Sequence, residues 1–360
     1  MNPKIMIILG SSSDIKIAEK AIDVLEKLQV PYSLHIASAH RTHEKVKNLV
    51  IQGTNEGIEV FIAIAGLTAH LGGVIASYTH RPVVGVPVKA KLGGIDASFA
   101  TAQMPYPAPV ATVGIDRGDN GAILAGQIIG INDYNVRKNI SNLRNSYVEK
   151  VDIDDKKIHS KLNGNYFNNT FLNDIINEKL EDTDNLTDNL TDKYKINGDN
   201  DPNFNESKKD KDSPIVCVIP GSYSDMKVAK KVTNTLDRLR INYDVNIISP
   251  VRNPVKFQKY IESQENVKVF IAVTGLSAHV SGSLVALSEK PVIGVPCAIE
   301  LDGLDSLISM ISMPPGVPVG TVGISNGKNG AILAAEILAI ENKDIEANLK
   351  LLKYESNSIN

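Results

Sequence analysis

The chain has 360 residues, enough for two or three domains. Apolar residues make up 42% and charged residues 22%, which excludes a wholly disordered chain, a collagen-like chain and a coiled-coil rod. The net charge of −3 gives no bulk attraction to nucleic acid or anionic lipid, so neither is an expected partner. Two cysteines, Cys217 and Cys297, cannot build a disulfide framework and fit a reducing compartment. The apolar run ending at Gly10 is too short for a secretory signal, and no stretch approaches the ~18–20 apolar residues of a membrane span. The expected location is the cytoplasm.

The chain repeats itself. Gly10-Ser11-Ser12-Ser13-Asp14 returns as Gly221-Ser222-Tyr223-Ser224-Asp225, and Val60–Gly66 returns as Val269–Gly275. Ala69-His70 matches Ala278-His279, Pro82–Pro87 matches Pro291–Pro296, and Gly121–Ala125 matches Gly330–Ala334. The offset is 211 early and 209 later. A period this long means two whole domains and not a solenoid. The expected boundaries are 4–151 for the first copy, 152–213 for a linker and 214–355 for the second copy. The linker is rich in Asn, Asp and Lys, with too few apolar groups to offset ordering entropy, so it is expected to be disordered.

In chain order, the first copy alternates short β-branched runs with longer amphipathic segments. Strands are expected at Lys4–Gly10, Tyr32–Ser38, Val60–Gly66, Val83–Val88 and Pro109–Ile115. Helices are expected at Asp14–Leu28, Thr42–Gly57, His70–Thr79, Asp96–Gln103, Asn120–Ile131 and about 133–150, with Thr42 as an N-cap. This alternation predicts an α/β fold: two tandem three-layer α/β/α domains of flavodoxin-like or Rossmann-like type, each with a parallel sheet. Ligands of such sheets bind beyond the carboxyl ends of the strands. Three motifs fall at that edge: Gly10–Asp14, Ser38–Arg41 and Gly66–His70.

Each motif admits a functional and a structural reading. Gly10–Asp14 leads from a strand into a helix, where serine hydroxyls and the helix N-terminus suit an anion and Asp14 suits sugar hydroxyls. Alternatively, Ser13 or Asp14 simply caps the helix. Arg41 can fork onto a phosphate that Ser38 also meets, and His40 can exchange protons near neutral pH. The alternative is an ordinary surface loop. Gly66–Gly73 can line a small-molecule pocket, or it is a tight turn with His70 as a cap. His35 and His80 read as structural or exposed, His43 as solvent-facing, and both cysteines as core residues. No Cys/His spacing suggests a metal site, and no nucleotide-triphosphate loop is present.

With these residues in place, the chain resembles the AIR carboxylase family, in a tandem two-copy, archaeal-like form. The resemblance rests on Gly-Ser-x-Ser-Asp at 10–14, Ser-Ala-His-Arg-Thr at 38–42, Ala-His-Leu at 69–71, Gly-Val-Pro at 85–87 and Gln-Met-Pro at 103–105. It implies an enzyme of de novo purine synthesis that makes 4-carboxy-5-aminoimidazole ribonucleotide (CAIR) without metal or cofactor. It implies that Ser11, Asp14, Ser38 and Arg41 hold the ribose phosphate, that His40 is the general acid/base, and that Gly66 and His70 cover the imidazole ring and carboxyl group. It implies a homo-oligomer, four two-copy chains supplying the eight domains of an octamer. Leu67 and Thr68 replace smaller residues in the family loop, as in the carbon-dioxide-using branch, which however lacks Ala69-His70-Leu71; with these motifs mixed, the likeness to archaeal two-copy members favours direct carboxylation of aminoimidazole ribonucleotide (AIR) by carbon dioxide. The alternatives are the N5-carboxyaminoimidazole ribonucleotide (N5-CAIR) mutase reaction, giving the same product, and a non-catalytic sugar-phosphate-binding module. The second copy reads Ser249-Pro250-Val251-Arg252, and Val251 cannot carry a proton, so that copy is expected to be silent.

Overall fold

The inner strands of each copy are apolar on both faces and buried, while the edge strand of each carries polar residues and is half-exposed. In the computed structural model, which describes residues 2–161 and 213–358, β1 (Ile5–Leu9), β2 (Tyr32–Ile36), β3 (Val60–Ala65), β4 (Val83–Pro87) and β5 (Ala111–Thr112) are all parallel neighbours in the order β2-β1-β3-β4-β5. This is the flavodoxin-like order. Strand alternation turns Met6, Ile8, Phe61 and Ala63 to one face, where they pack on α2 (His43–Glu56) and α3 (Leu71–Tyr78) through Val46, Val50, Leu71 and Ile75. The opposite face takes α1 (Ile15–Leu28) and α5 (Gly118–Gly130), which pack on each other. Their approach is close enough that a Cβ at Gly118 would strike the Ile17 carbonyl. The remaining helices of the copy are α4 (Ile95–Ala102) and α6 (Tyr134–Lys161).

The second copy repeats this layout. Its strands are β6 (Val216–Pro220), β7 (Tyr243–Val245), β8 (Val269–Thr274), β9 (Val292–Pro296) and β10 (Gly320–Thr321). Its helices are α7 (Met226–Arg238), α8 (Pro254–Glu262), α9 (His279–Leu287), α10 (Leu304–Ile311), α11 (Gly327–Leu338) and α12 (Lys343–Ser358).

The two sheets are not separate. Strand β10 pairs antiparallel with β5, giving one ten-stranded sheet with Thr112 opposite Thr321. These are equivalent positions of the repeat, so a pseudo-two-fold axis passes between them. Small residues permit the join: a Cβ on Gly320 would lie 3.1 Å from that of Ala111. Residue contacts accordingly place both copies in one unit, Met1–Arg144 with Ser207–Asn360, and Asn145–Glu206 in another. The period predicts two domains with a parallel sheet each; each half is parallel as expected, and the antiparallel centre is the difference. Helix α6 also runs to Lys161, into the segment expected to be disordered from 152; residues 162–212 of that segment lie outside those described.

Polar side chains close the join from both sides. Asn120 is fully buried; its Nδ2 donates to the Pro314 carbonyl at 2.9 Å and its Oδ1 accepts from the Gly316 N–H at 2.8 Å. Its repeat partner Asn329 donates to the carbonyls of Met104 at 3.0 Å and Pro105 at 3.1 Å. Arg144 donates to the Ala286 and Ser288 carbonyls, while Lys353 donates to the Thr79 carbonyl at 3.1 Å and meets the buried carboxylate of Glu336 at 2.7 Å. His80, read from sequence as structural or exposed, is part-buried against Glu346 at 2.9 Å; burial lowers its pKa to about 4, so at neutral pH it is uncharged. Cys217 and Cys297 are buried and free, as expected.

Asn120→Ala leaves the Gly316 N–H and the Pro314 carbonyl without their partner. It is expected to lower the unfolding free energy by about 2–4 kcal/mol in urea denaturation, since each stranded buried group costs about 1–3 kcal/mol. A change under 0.5 kcal/mol would show that this clamp does not hold the join.

Candidate functional site

The three motifs meet because their strands are neighbours. In the order β2-β1-β3, the turn after β1 lies between the turns after β2 and β3. The turn after β1 opens with Gly10, whose N–H donates to the Ile64 carbonyl at 2.9 Å. Ser11 is extended and its Oγ accepts from the Ser13 N–H at 3.3 Å. A short 3-10 turn, Ser12–Asp14, then feeds α1.

Asp14 stands at the N-cap position of α1 yet makes no side-chain capping bond, so the capping reading does not describe it. Its carboxylate is 7% exposed and accepts from Ser13 Oγ at 2.9 Å. Burial raises its pKa, the Ser13 hydroxyl partly offsets this, and the Asp116 carboxylate adds to the rise. Such a buried acceptor has lone pairs free for donors from outside the protein.

Ser38 and Thr42 tie the turn after β2 into a closed loop. The Ser38 N–H donates to Thr42 Oγ1 at 2.9 Å, the Thr42 N–H donates to the Ser38 carbonyl at 2.9 Å, and Ser38 Oγ accepts from the Arg41 N–H at 3.3 Å. Thr42 thus sits at the N-cap of α2, as expected, but spends its hydroxyl on Ser38. The loop presents His40 and Arg41 outward, and the Arg41 guanidinium has no partner among the described residues.

After β3, Leu67 and Ala69 adopt left-handed backbone, at φ 53° and 40°. Non-glycine residues rarely do so, and such strain gathers at functional sites. A Cβ on Gly66 would press on the Val88 carbonyl at 3.3 Å, so glycine suits this crossing. The strained turn delivers His70 at the head of α3, again without a side-chain cap. Its Nδ1 lies 3.0 Å from Nε2 of His40, one of the two carrying the shared proton. Leu67 is 54% exposed, so its bulk points outward and does not fill the turn. His43, read as solvent-facing, is exposed and meets the Tyr78 hydroxyl at 3.0 Å.

The structure therefore gathers Ser11, Asp14, Ser38, His40, Arg41, Gly66 and His70 at one sheet edge. Sequence reading did not foresee the direct His40–His70 contact; their places after two strands flanking β1 were the available signal. Among the described residues no group of His, Cys, Asp and Glu is placed to hold a metal ion, and no described helix is long and apolar enough to cross a membrane.

The parallel α/β sheet thus carries a hydroxyl, a carboxylate, a guanidinium and an imidazole at its carboxyl edge, where small-molecule ligands of such folds bind. The family model described as AIR carboxylase matches residues 4–150 and again 215–358. The chain belongs to the AIR carboxylase family. It is 53% identical over 356 residues to the probable N5-carboxyaminoimidazole ribonucleotide mutase of Methanothermobacter thermautotrophicus, covering 99% of each. It is 49% identical over 359 residues to the protein of the same name from Methanobrevibacter smithii, covering all of both. Over 150 residues it is 40% identical to the phosphoribosylaminoimidazole carboxylase of Candida glabrata, covering 41% of this chain and 26% of that one.

Asp14→Asn is expected to raise the thermal midpoint by about 1–2 °C at pH 7. A carboxyl whose folded pKa is raised costs stability when ionised, so the gain is present above that pKa and shrinks as pH falls into the ordinary carboxylate range. Calorimetric scans at pH 7 and pH 4.5 check this; a lower midpoint for the variant at pH 7 would refute it.

Proposed function

We propose that this chain converts N5-CAIR to CAIR, the mutase reaction. The observation that carries the reading is the His40–His70 pair, at the sheet edge that also bears Arg41 and the buried Asp14 carboxylate. Support for the mutase over the direct carboxylase, the reading favoured from sequence, comes from the two full-length relatives that bear the name of a probable mutase.

The residue types suit the chemistry. Arg41, with Ser11 and Ser38, binds the 5-phosphate, and the N-terminus of α1 adds partial positive charge. Asp14 accepts from the ribose hydroxyls. Loss of the carboxyl group from N5 requires a proton at that nitrogen, and bond formation between C4 and the released carbon dioxide then expels the C4 proton. The two steps cancel, so one imidazole, His40, gives a proton and takes one back. His70 holds the ring by its hydrogen bond, and the Gly66–His70 turn lies over the reacting end. A covered site keeps the carbon dioxide from escaping. No metal or cofactor takes part in this scheme. A homo-oligomer that covers the mouth fits it, because His40 and His70 are both exposed in the single chain.

The fungal carboxylase, similar over 150 residues, keeps direct carboxylation as the second reading. Supplying the chain with N5-CAIR, or with AIR and bicarbonate, and following CAIR formation separates the two. Turnover of N5-CAIR at low bicarbonate is expected. Turnover of AIR alone, rising with bicarbonate, would favour the carboxylase, and no CAIR from either would sink both. His40→Asn is expected to lower kcat by about 10²–10⁴-fold, the usual share of a general acid/base. A loss under threefold would remove His40 from the proton path.

A further inference from the structure

The second copy contains a cavity of about 210 Å³ at the carboxyl edge of its own five strands, the equivalent position in the repeat. Its polar lining includes Ser222, Asp225, Ser249, Arg252 and His279, with Val251 where the first copy has His40. Asp225 is 3% exposed; Ser222 Oγ donates to it at 3.0 Å and burial raises its pKa. The Arg252 N–H donates to Ser249 Oγ at 3.3 Å, repeating the loop that presents Arg41. The Arg252 side chain is exposed and has no partner among the described residues. Leu276 and Ala278 repeat the left-handed backbone of Leu67 and Ala69, at φ 56° and 49°.

What differs is the proton carrier. Val251 has no titratable group. His279 Nδ1 meets Ser277 Oγ of its own turn at 2.7 Å, and the Ser277 carbonyl accepts from Ser309 Oγ at 2.8 Å. The ring is thus held by its own loop, with no facing imidazole.

We propose that the second copy binds a 5-phosphoribosyl nucleotide and does not react with it, so that each chain holds two nucleotide sites of which one turns over. The ligand class follows from the lining. The Arg252 guanidinium and the Ser249 hydroxyl after β7, lining one cavity with the Ser222 hydroxyl before α7, suit a phosphate dianion. A buried carboxylate suits the paired donors of a ribose diol. The cavity is smaller than the ~300 Å³ lower bound of typical ligand pockets, so it takes the ribose phosphate. The base rests at the mouth beside the exposed apolar side chains of Leu276 and Ile299. The inference rests on reading the equivalent residues of the first copy as the substrate site.

Calorimetric titration of the full chain with AIR, no carboxyl donor present, tests it. The expected result is two equivalents per chain. Arg252→Ala removes one, weakening it about ten- to a hundredfold as a charge-assisted contact predicts, and Arg41→Ala removes the other. Circular dichroism confirms that both variants fold, and Arg252→Lys, which keeps the charge without the fork, is expected to weaken the same site less. One equivalent in the native chain, lost with Arg41→Ala and untouched by Arg252→Ala, overturns the proposal. Failure of the mutase and carboxylase readings looks different: two equivalents of AIR bind, yet no CAIR forms from either carboxyl source.

Discussion

The pairing of Thr112 with Thr321 is the contact on which the architecture depends. Two parallel half-sheets each end in a strand of two residues, whose outer backbone groups would otherwise be unpaired at an edge. Joined antiparallel, each becomes the interior of a ten-stranded sheet. The backbone contact is brief, so it needs help, and Asn120 and Asn329 give it by binding the loop of the opposite copy. Both asparagines lie near the starts of α5 and α11, the helices that pack against α1 and α7. A shift at the join would therefore pass to the helices that begin just after Asp14 and Asp225.

The candidate site carries local costs that the rest of the fold holds in place. Asp14 is buried without a cation beside it, and Ala69 sits in left-handed backbone. Neither would persist in a loosely packed loop. Met6, Ile8, Phe61 and Ala63 anchor the strands just before these turns. The positions of the imidazole pair are thus set by strand ends and a closed serine–threonine loop, with little freedom left to the chain. The second copy has the same constraints without the first imidazole, which separates the binding part of the arrangement from the proton-carrying part.

Much of this was legible in the residues. Strand–helix alternation in Ile5–Thr112 predicts the parallel order, and the motifs at 10–14, 38–41 and 66–70 fall at the carboxyl edge as that order requires. The repeat itself was plain. Three features were not legible. The run Pro109–Ile115 reads as a full strand, but only Ala111 and Thr112 are strand, between the five-residue β4 and a β10 that is itself two residues long. Asn120 and Asn329 lie in repeated Asn-Gly-Ala-Ile-Leu segments, yet their role is defined by a partner about 200 residues away, which local pattern does not encode. Asp14 reads as a cap because its place is that of a cap, and only the hydrogen-bond geometry shows otherwise.

The pseudo-two-fold has a consequence for how the halves can differ. In a true homodimer every substitution appears twice, and an interface residue must suit its own image across the axis. Here the halves are one polypeptide, and that requirement is lifted. Glu336 is therefore free to form a buried ion pair with Lys353, while its counterpart Gln127 is an uncharged amide. His80 can face Glu346 although the corresponding positions in the other half are Glu289 and Arg137. Covalent linkage turns an identity constraint into a complementarity constraint, and complementary surfaces have many more solutions than identical ones.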